Sequence, residues 1–138
     1  MHKILIVDDS EGLLVLYETL LSYEFPNVEV LIARNAIEAL SQITNLENPS
    51  ELLCVISDYD MGEINGVQLT RKIRKKLPLL PLFIHTHSGE DLTVIQQQCE
   101  DINVEVLSKR DSMKGIILPS IKNQLLADEN FVLVATLI

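Results

Sequence analysis

Five short apolar runs alternate along the chain with five segments of helical periodicity, and this alternation restricts the fold more than any other feature. The apolar runs are typical of strands buried on both faces of a sheet. They occupy residues 3–8, 28–33, 52–57, 81–86 and 104–107. The helical segments lie at 11–25, 35–47, 66–77, 89–101 and 112–126. Strict strand–helix alternation predicts an α/β domain, a doubly wound parallel sheet with helices on both faces.

The length of the chain predicts a single domain followed by a short extension. A chain of 138 residues can bury a core of its own. We assign residues 1–127 to the domain and 128–138 to a C-terminal extension. The extension contains the apolar run "NFVLVATLI" at 130–138. An exposed apolar strand invites association, so we expect an extra edge strand, the start of a further domain, or a swapped strand that contacts a second copy in a homodimer.

The charge and the cysteines restrict partners and location. A formal net charge of −9 argues against a nucleic-acid partner, which would need a basic surface. Five of the eleven basic residues lie within 66–77, and we interpret them as a solvated helix face. Cys54 and Cys99 lie in apolar or helical surroundings, which predicts reduced thiols in a cytoplasmic protein. No apolar run reaches about 18 residues, so no membrane association is expected.

Polar residues stand where four of the predicted strands end. Asp8 and Asp9 follow the first strand, and Asp58 follows the third. Thr86 ends the fourth strand, and Lys109 comes just after the fifth. In doubly wound sheets, ligands bind outside the carboxyl ends of the strands. The sequence therefore predicts that these five side chains lie at one edge of the sheet.

The chemistry of that edge indicates a phosphoryl site. Three carboxylates in one pocket cannot all stay ionised without a compensating charge, and Mg²⁺ with oxygen ligands supplies it. Lys109 and Thr86 add a cation and a hydroxyl donor for phosphoryl oxygens. No cysteine or serine is placed as an obvious nucleophile, and no histidine as its base, which leaves a carboxylate. Asp58 is the best placed, so the residues predict a metal-dependent aspartyl-phosphate site.

These residues also resemble the receiver domains of two-component response regulators, in particular the single-domain chemotaxis type. "ILIVDDS" resembles the first strand of that family with its acidic pair, and "ISDYDMGEINGVQL" resembles the pattern D-x-x-M-P-x-x-[DN]-G-x-x-L. "PLFIHT" resembles the strand that ends in the signalling Thr or Ser, and "VLSK" the strand that carries the lysine. The resemblance covers residues 3 to about 126. It implies a flavodoxin-like, five-stranded parallel sheet with strand order 2-1-3-4-5.

The resemblance implies a function and a role for each site residue. Asp58 would accept a phosphoryl group from a sensor histidine kinase or phosphotransfer protein, so the chain would be a signalling phospho-acceptor and not an enzyme. Lys109 and Thr86 would act on the phosphoryl group. Thr86 would also couple the site to a face of helix four, strand five and helix five, where a downstream protein binds. The implied Mg²⁺ ligands are Asp8, Asp9, Asp58 and the backbone carbonyl of Asp60.

Several positions depart from the family pattern and keep a second hypothesis open. Gly62 and Arg110 stand where prolines are usual, His87 where a small residue is usual, and Val106 where an aromatic residue is common. These departures favour a degenerate receiver that acts as a protein-interaction or dimerisation scaffold. A third hypothesis is a phosphatase with an aspartate nucleophile, because "DYDMG" at 58–62 mimics part of a D-x-D motif.

Overall fold

The computed structural model describes residues 1–87, 92–109 and 113–137, with side chains as far as residue 127. Its strands are β1 Lys3–Val7, β2 Glu29–Ala33, β3 Leu52–Asp58, β4 Leu82–Thr86 and β5 Glu105–Ser108. Its α-helices are α1 Glu11–Glu24, α2 Ala36–Thr44, α3 Gly66–Lys76, α4 Leu92–Gln98 and α5 Leu118–Leu137, the last preceded by a π-helical turn at Met113–Ile117. All strand pairs are parallel, in the order β2-β1-β3-β4-β5, which confirms the predicted fold and strand order.

Two hydrophobic cores lie on opposite faces of the sheet. Side chains of β1 alternate between them, with Leu5 in one and Ile6 in the other, as the two-residue period of a strand requires. Helices α2, α3 and α4 cover the first core, and α1 and α5 cover the second. The sheet is therefore buried on both faces, and polar groups reach solvent mainly where the strands end.

Three helices begin at side-chain caps, two of which, Ser10 and Asn35, the sequence also indicates. The side chain of Ser10 accepts a hydrogen bond from the backbone of Leu13 at the start of α1, and Asn35 caps α2 in the same way. Asn65 and Gln68 form a reciprocal capping box at the start of α3. Ser88, a candidate cap for the fourth helix, lies outside the described residues.

Arg74 corrects the interpretation of the basic run in α3 as a wholly solvated face. Its guanidinium donates hydrogen bonds to five backbone carbonyl groups from two loops, at distances of 2.7 to 3.1 Å. These carbonyls belong to Leu77, Pro78, Leu80, Ile102 and Asn103. Five donors in a planar fork suit this arrangement. Arg74 therefore holds the loop before β4 against the loop before β5.

The C-terminal extension corrects the expectation of a strand within 130–138. Helix α5 continues to Leu137, so neither a sixth edge strand nor a swapped strand is present in the described residues. Pro119 sits in the first turn of α5, where a proline is tolerated. No glycine or proline follows it, and composition alone cannot distinguish a helix from a strand in a short apolar run. A boundary near residue 127 stays a prediction.

Both cysteines are free thiols buried in the cores, which confirms that they are not paired. Burial raises the pKa of the Cys54 thiol to about 12, so it stays protonated. None of the helices in the described ranges combines the length and the apolar character needed to cross a bilayer.

We predict that Arg74→Gln lowers the free energy of unfolding by about 1–3 kcal/mol, because several partly buried carbonyl groups lose their donor. Urea denaturation followed by circular dichroism measures the change. Lys75→Gln is the matched control, since Lys75 is exposed on the same helix. It should change the unfolding free energy by less than about 0.5 kcal/mol. Equal midpoints for the two variants would contradict a structural role for Arg74.

Candidate functional site

Strand order and register bring the predicted site residues to one edge of the sheet. Asp8 and Asp9 directly follow β1, and Asp58 is the last residue of its neighbour β3. Thr86 ends β4 opposite Ser108 of β5, so Lys109 follows at the same edge. The backbone N–H of Lys109 also donates to the carbonyl of Thr86 at 2.7 Å. Parallel strands place all these ends side by side.

Lys109 lies between two buried carboxylates. Its Nζ is 3.1 Å from Oδ2 of Asp8 and 3.1 Å from Oδ1 of Asp58. Burial disfavours the charge on Lys109, but hydrogen bonds and attraction from Asp8 and Asp58 outweigh that effect and raise its pKa. The ammonium group therefore stays protonated and links the ends of β1, β3 and β5.

Both carboxylate oxygens of Asp8 face a positively charged or N–H group. Oδ1 accepts a hydrogen bond from the backbone N–H of Ser10 at 2.9 Å, and Oδ2 faces Lys109. The backbone N–H of Asp8 donates to the carbonyl of Ala33 at the end of β2. The side chain is fully buried, so its position is fixed by the fold and not by solvent.

Three carboxylates share this pocket with that one ammonium group. Oxygens of Asp8, Asp9 and Asp58 all lie within 4.8 Å of one another. Asp58 is buried and Asp9 is exposed. Burial, together with repulsion from Asp8, raises the pKa of Asp58 to about 6, although Lys109 partly offsets the effect. The pocket therefore keeps excess negative charge, and its oxygen donors fit a hard divalent cation such as Mg²⁺.

Glycines shape the loop that follows Asp58. A Cβ on Gly66 would lie 2.5 Å from the carbonyl oxygen of Asp58, so only glycine allows α3 to start this close to the end of β3. Gly62 has a φ of +98°, a conformation that a proline ring, locked near −65°, cannot adopt. A proline could therefore not replace Gly62 without a change in the backbone of this loop. Asp60 lies exposed in the same loop.

Thr86 lies at the edge of the site, at the end of β4. It is fully buried, and its hydroxyl donates to the carbonyl of its neighbour His87 at 2.9 Å. The side chain of His87 is exposed, which agrees with a position at the rim of the site. Val106 is buried in β5, and Arg110 lies outside the described residues.

His85 is a further neighbour of the site, which its place in the sequence does not reveal. It is fully buried and pairs in register with Asp58. Its Nε2 lies 3.6 Å from Oδ2 of Asp8, and its ring centroid lies 5.2 Å from that of Tyr17 in α1. Burial, with repulsion from Lys109 and His87, lowers the pKa of His85 to about 3, so the ring is neutral. His85 is placed at the site by its register opposite Asp58, and the sequence does not show that register.

Comparisons with known proteins agree with this geometry. Residues 4–117 match the family model of the response regulator receiver domain. A chemotaxis protein CheY homolog of Campylobacter jejuni is 33% identical over 95 residues, which cover 67% of this chain and 70% of that protein.

Two solved structures have the same fold as this chain. A response regulator receiver domain protein from Clostridium thermocellum has a TM-score of 0.77 and 27% identity, and the match covers 95% of this chain and 99% of that one. The response regulator TrrA from Thermotoga maritima, a complex with Mg²⁺ and BeF, has a TM-score of 0.68 and 24% identity, over 87% of this chain and 99% of that one.

Because the pocket has excess negative charge, the effect of Asp58→Asn on stability should depend on pH. The pKa of Asp58 is about 6 in the fold against an ordinary 3.8, so the fold binds its proton more tightly than the unfolded chain does. Ionised Asp58 therefore destabilises the fold fully above about pH 6, and the effect disappears below about pH 4. Without divalent cations, Asp58→Asn should be more stable than the natural chain near neutral pH, by about 1–3 kcal/mol.

Urea denaturation across this pH range measures the difference. Glu105→Gln is the control, because Glu105 is an exposed carboxylate outside the pocket, and its effect should stay within about 0.5 kcal/mol. An Asp58→Asn variant less stable than the natural chain at neutral pH would contradict this account of the electrostatics.

Proposed function

The chain belongs to the response regulator receiver domain family, and from that premise we propose that Asp58 is its phosphoryl acceptor. Receiver domains of this CheY-like type are phosphorylated on an aspartate in two-component signalling. One observation carries the assignment to Asp58: its carboxylate shares the Lys109 ammonium with Asp8, in a pocket where three carboxylates converge. The degenerate scaffold finds no support, because these charged groups lie together.

The proposed reaction is a transfer between two nucleophiles. An oxygen of ionised Asp58 attacks the phosphorus of a phosphohistidine on a sensor kinase or phosphotransfer protein. The P–N bond breaks as the P–O bond forms, and the electron pair returns to the imidazole, which leaves neutral after taking a proton from water. A pKa near 6 leaves Asp58 mostly ionised at neutral pH and able to attack. Hydrolysis of the acyl phosphate would end the signal.

A cation would complete the site. Asp8, Asp9, Asp58 and the backbone carbonyl of Asp60 would hold Mg²⁺, which would neutralise charge on the phosphoryl oxygens during transfer. Two features of the pocket support this: the excess of carboxylates over ammonium groups, and the raised pKa of Asp58. The TrrA structure, a complex with Mg²⁺ and BeF, has the same fold.

Lys109 and Thr86 would respond to the new phosphoryl group. The Lys109 ammonium, 3.1 Å from the carboxylate of Asp58, is close enough to follow the negative charge onto a phosphoryl oxygen. The Thr86 hydroxyl would leave the carbonyl of His87 and donate to another phosphoryl oxygen. Because the carbonyl of Thr86 accepts from the backbone of Lys109, the ends of β4 and β5 would move together.

The face of α4, β5 and α5 is the proposed output surface. The side chain of Gln96 in α4 donates to the carbonyl of Val104 and accepts from the N–H of Val106 in β5. This pair of hydrogen bonds fixes α4 on the β5 edge, where the family commonly has a switching aromatic residue and this chain has Val106. A downstream protein would bind this face. We place the phosphotransfer in the cytoplasm, and a homodimer through the C-terminal extension stays a proposal.

The acceptor is tested with a small phosphodonor. Incubation with Mg²⁺ and acetyl phosphate should add one phosphoryl group, read by intact mass, and Asp58→Asn should abolish it. Asp60→Asn is the matched control, because Asp60 is a nearby exposed carboxylate whose backbone carbonyl is kept. That variant should still be modified. Modification that persists in Asp58→Asn, or no modification of the natural chain, would overturn the assignment.

A further inference from the structure

A second layer of polar groups lies behind the acidic pocket, on the α1 side of the sheet. His85 follows Ile84, whose side chain packs in the core under α2–α4, so strand alternation turns the imidazole to the opposite core. There its ring meets the ring of Tyr17 at a tilt of 42°. Thr86, the next residue, points back to the first core side. One strand therefore presents a polar group to each side of the site.

The imidazole of His85 is buried without a hydrogen bond. Neither ring nitrogen has a hydrogen-bond partner among the described residues, although the ring is fully buried. A buried polar group left unpaired costs about 1–3 kcal/mol. A leucine here would fill the core without that cost, so packing alone does not explain a histidine.

A carboxylate oxygen of Asp8 lies close to the His85 ring. Nε2 lies 3.6 Å from Oδ2 of Asp8, the same oxygen that faces Lys109. A shift of about half an ångström would bring the two atoms to hydrogen-bond distance. The Asp8 carboxylate faces the Lys109 ammonium as an acceptor, so the neutral ring would donate from Nε2, in the tautomer that carries its proton there.

The need for such a donor follows from the shared ammonium group. Lys109 is the single cation within reach of both Asp8 and Asp58 in the described residues. If it turns to a phosphoryl group on Asp58, Oδ2 of Asp8 loses its charged partner while fully buried. Mg²⁺ held by Asp8 would offset the charge of that carboxylate, but a buried oxygen without a hydrogen-bond donor would still be unfavourable.

We propose that His85 is a positioning residue. It donates a hydrogen bond to Oδ2 of Asp8 when the Lys109 ammonium moves to phosphorylated Asp58. The inference rests on the proposed function of Asp58 and adds a second donor to it. His85 holds Asp8 in place through the change without contacting the phosphoryl group. The phosphorylated state is therefore favoured by a neutral N–H donor at position 85.

Nitrogen NMR of the histidine rings tests the contact directly. The chain has three histidines, His2, His85 and His87, so single substitutions assign all the ring signals. Beryllofluoride with Mg²⁺ is the probe that mimics the phosphoryl group. We expect His85 to be neutral and protonated on Nε2, with its Nε2 proton moving downfield when beryllofluoride binds. An unchanged His85 signal upon binding, or a proton on Nδ1 alone, would overturn the proposal.

Binding measurements on three chains provide the second test. His85→Leu should weaken beryllofluoride binding roughly five- to tenfold, the equivalent of one hydrogen bond, without lowering stability in the absence of the ligand. His85→Gln offers an amide donor and should recover most of the affinity. Equal affinity of the leucine variant and the natural chain contradicts the proposal, as does equal weakening by leucine and glutamine.

The two proposals fail in different ways. A natural chain that binds no beryllofluoride refutes the function of Asp58. A natural chain that binds it while the His85 ring signals stay unchanged refutes only the role of His85. If His85→Leu does not fold, the NMR measurement on the natural chain decides alone.

Discussion

A single ammonium group between two buried carboxylates is the interaction on which the carboxyl edge of this sheet depends. Lys109 directly follows β5, and its side chain reaches Asp8 and Asp58 across the end of β4. With Asp9 added, negative charge exceeds positive charge in the pocket. The fold tolerates this excess of negative charge at the edge where we propose that a dication and a phosphoryl group bind.

The site around Lys109 lies next to polar residues on both faces of the sheet. Strand β4 lies between Asp58 and β5, and its last two residues point to opposite sides. Thr86 belongs to the side of α3 and α4, and His85 meets Tyr17 of α1. The site therefore has a polar neighbour on each side of the sheet, Thr86 on one and His85 on the other.

The sequence predicted the sheet and the site because both follow from topology. Alternating strands and helices define a parallel sheet, and parallel strands place residues such as Asp58 and Lys109 at one edge. Other features depend on distances that topology does not define. The basic run predicts a solvated Arg74, and the local pattern does not show that its carbonyl partners come from loops far apart in sequence. His85 joined the site only through strand register, and the apolar C-terminal run suited a helix as well as a strand.

Lys109 and the three carboxylates form one electrostatic unit. Calorimetric titration with Mg²⁺ at neutral pH tests it through two substitutions of opposite sign. Asp9→Asn removes a proposed ligand and should weaken Mg²⁺ binding by at least roughly tenfold. Lys109→Met removes a competing positive charge and should tighten Mg²⁺ binding several-fold, about 1 kcal/mol or more. Mg²⁺ affinity that is unchanged in both variants, or weakened by Lys109→Met, would contradict the account.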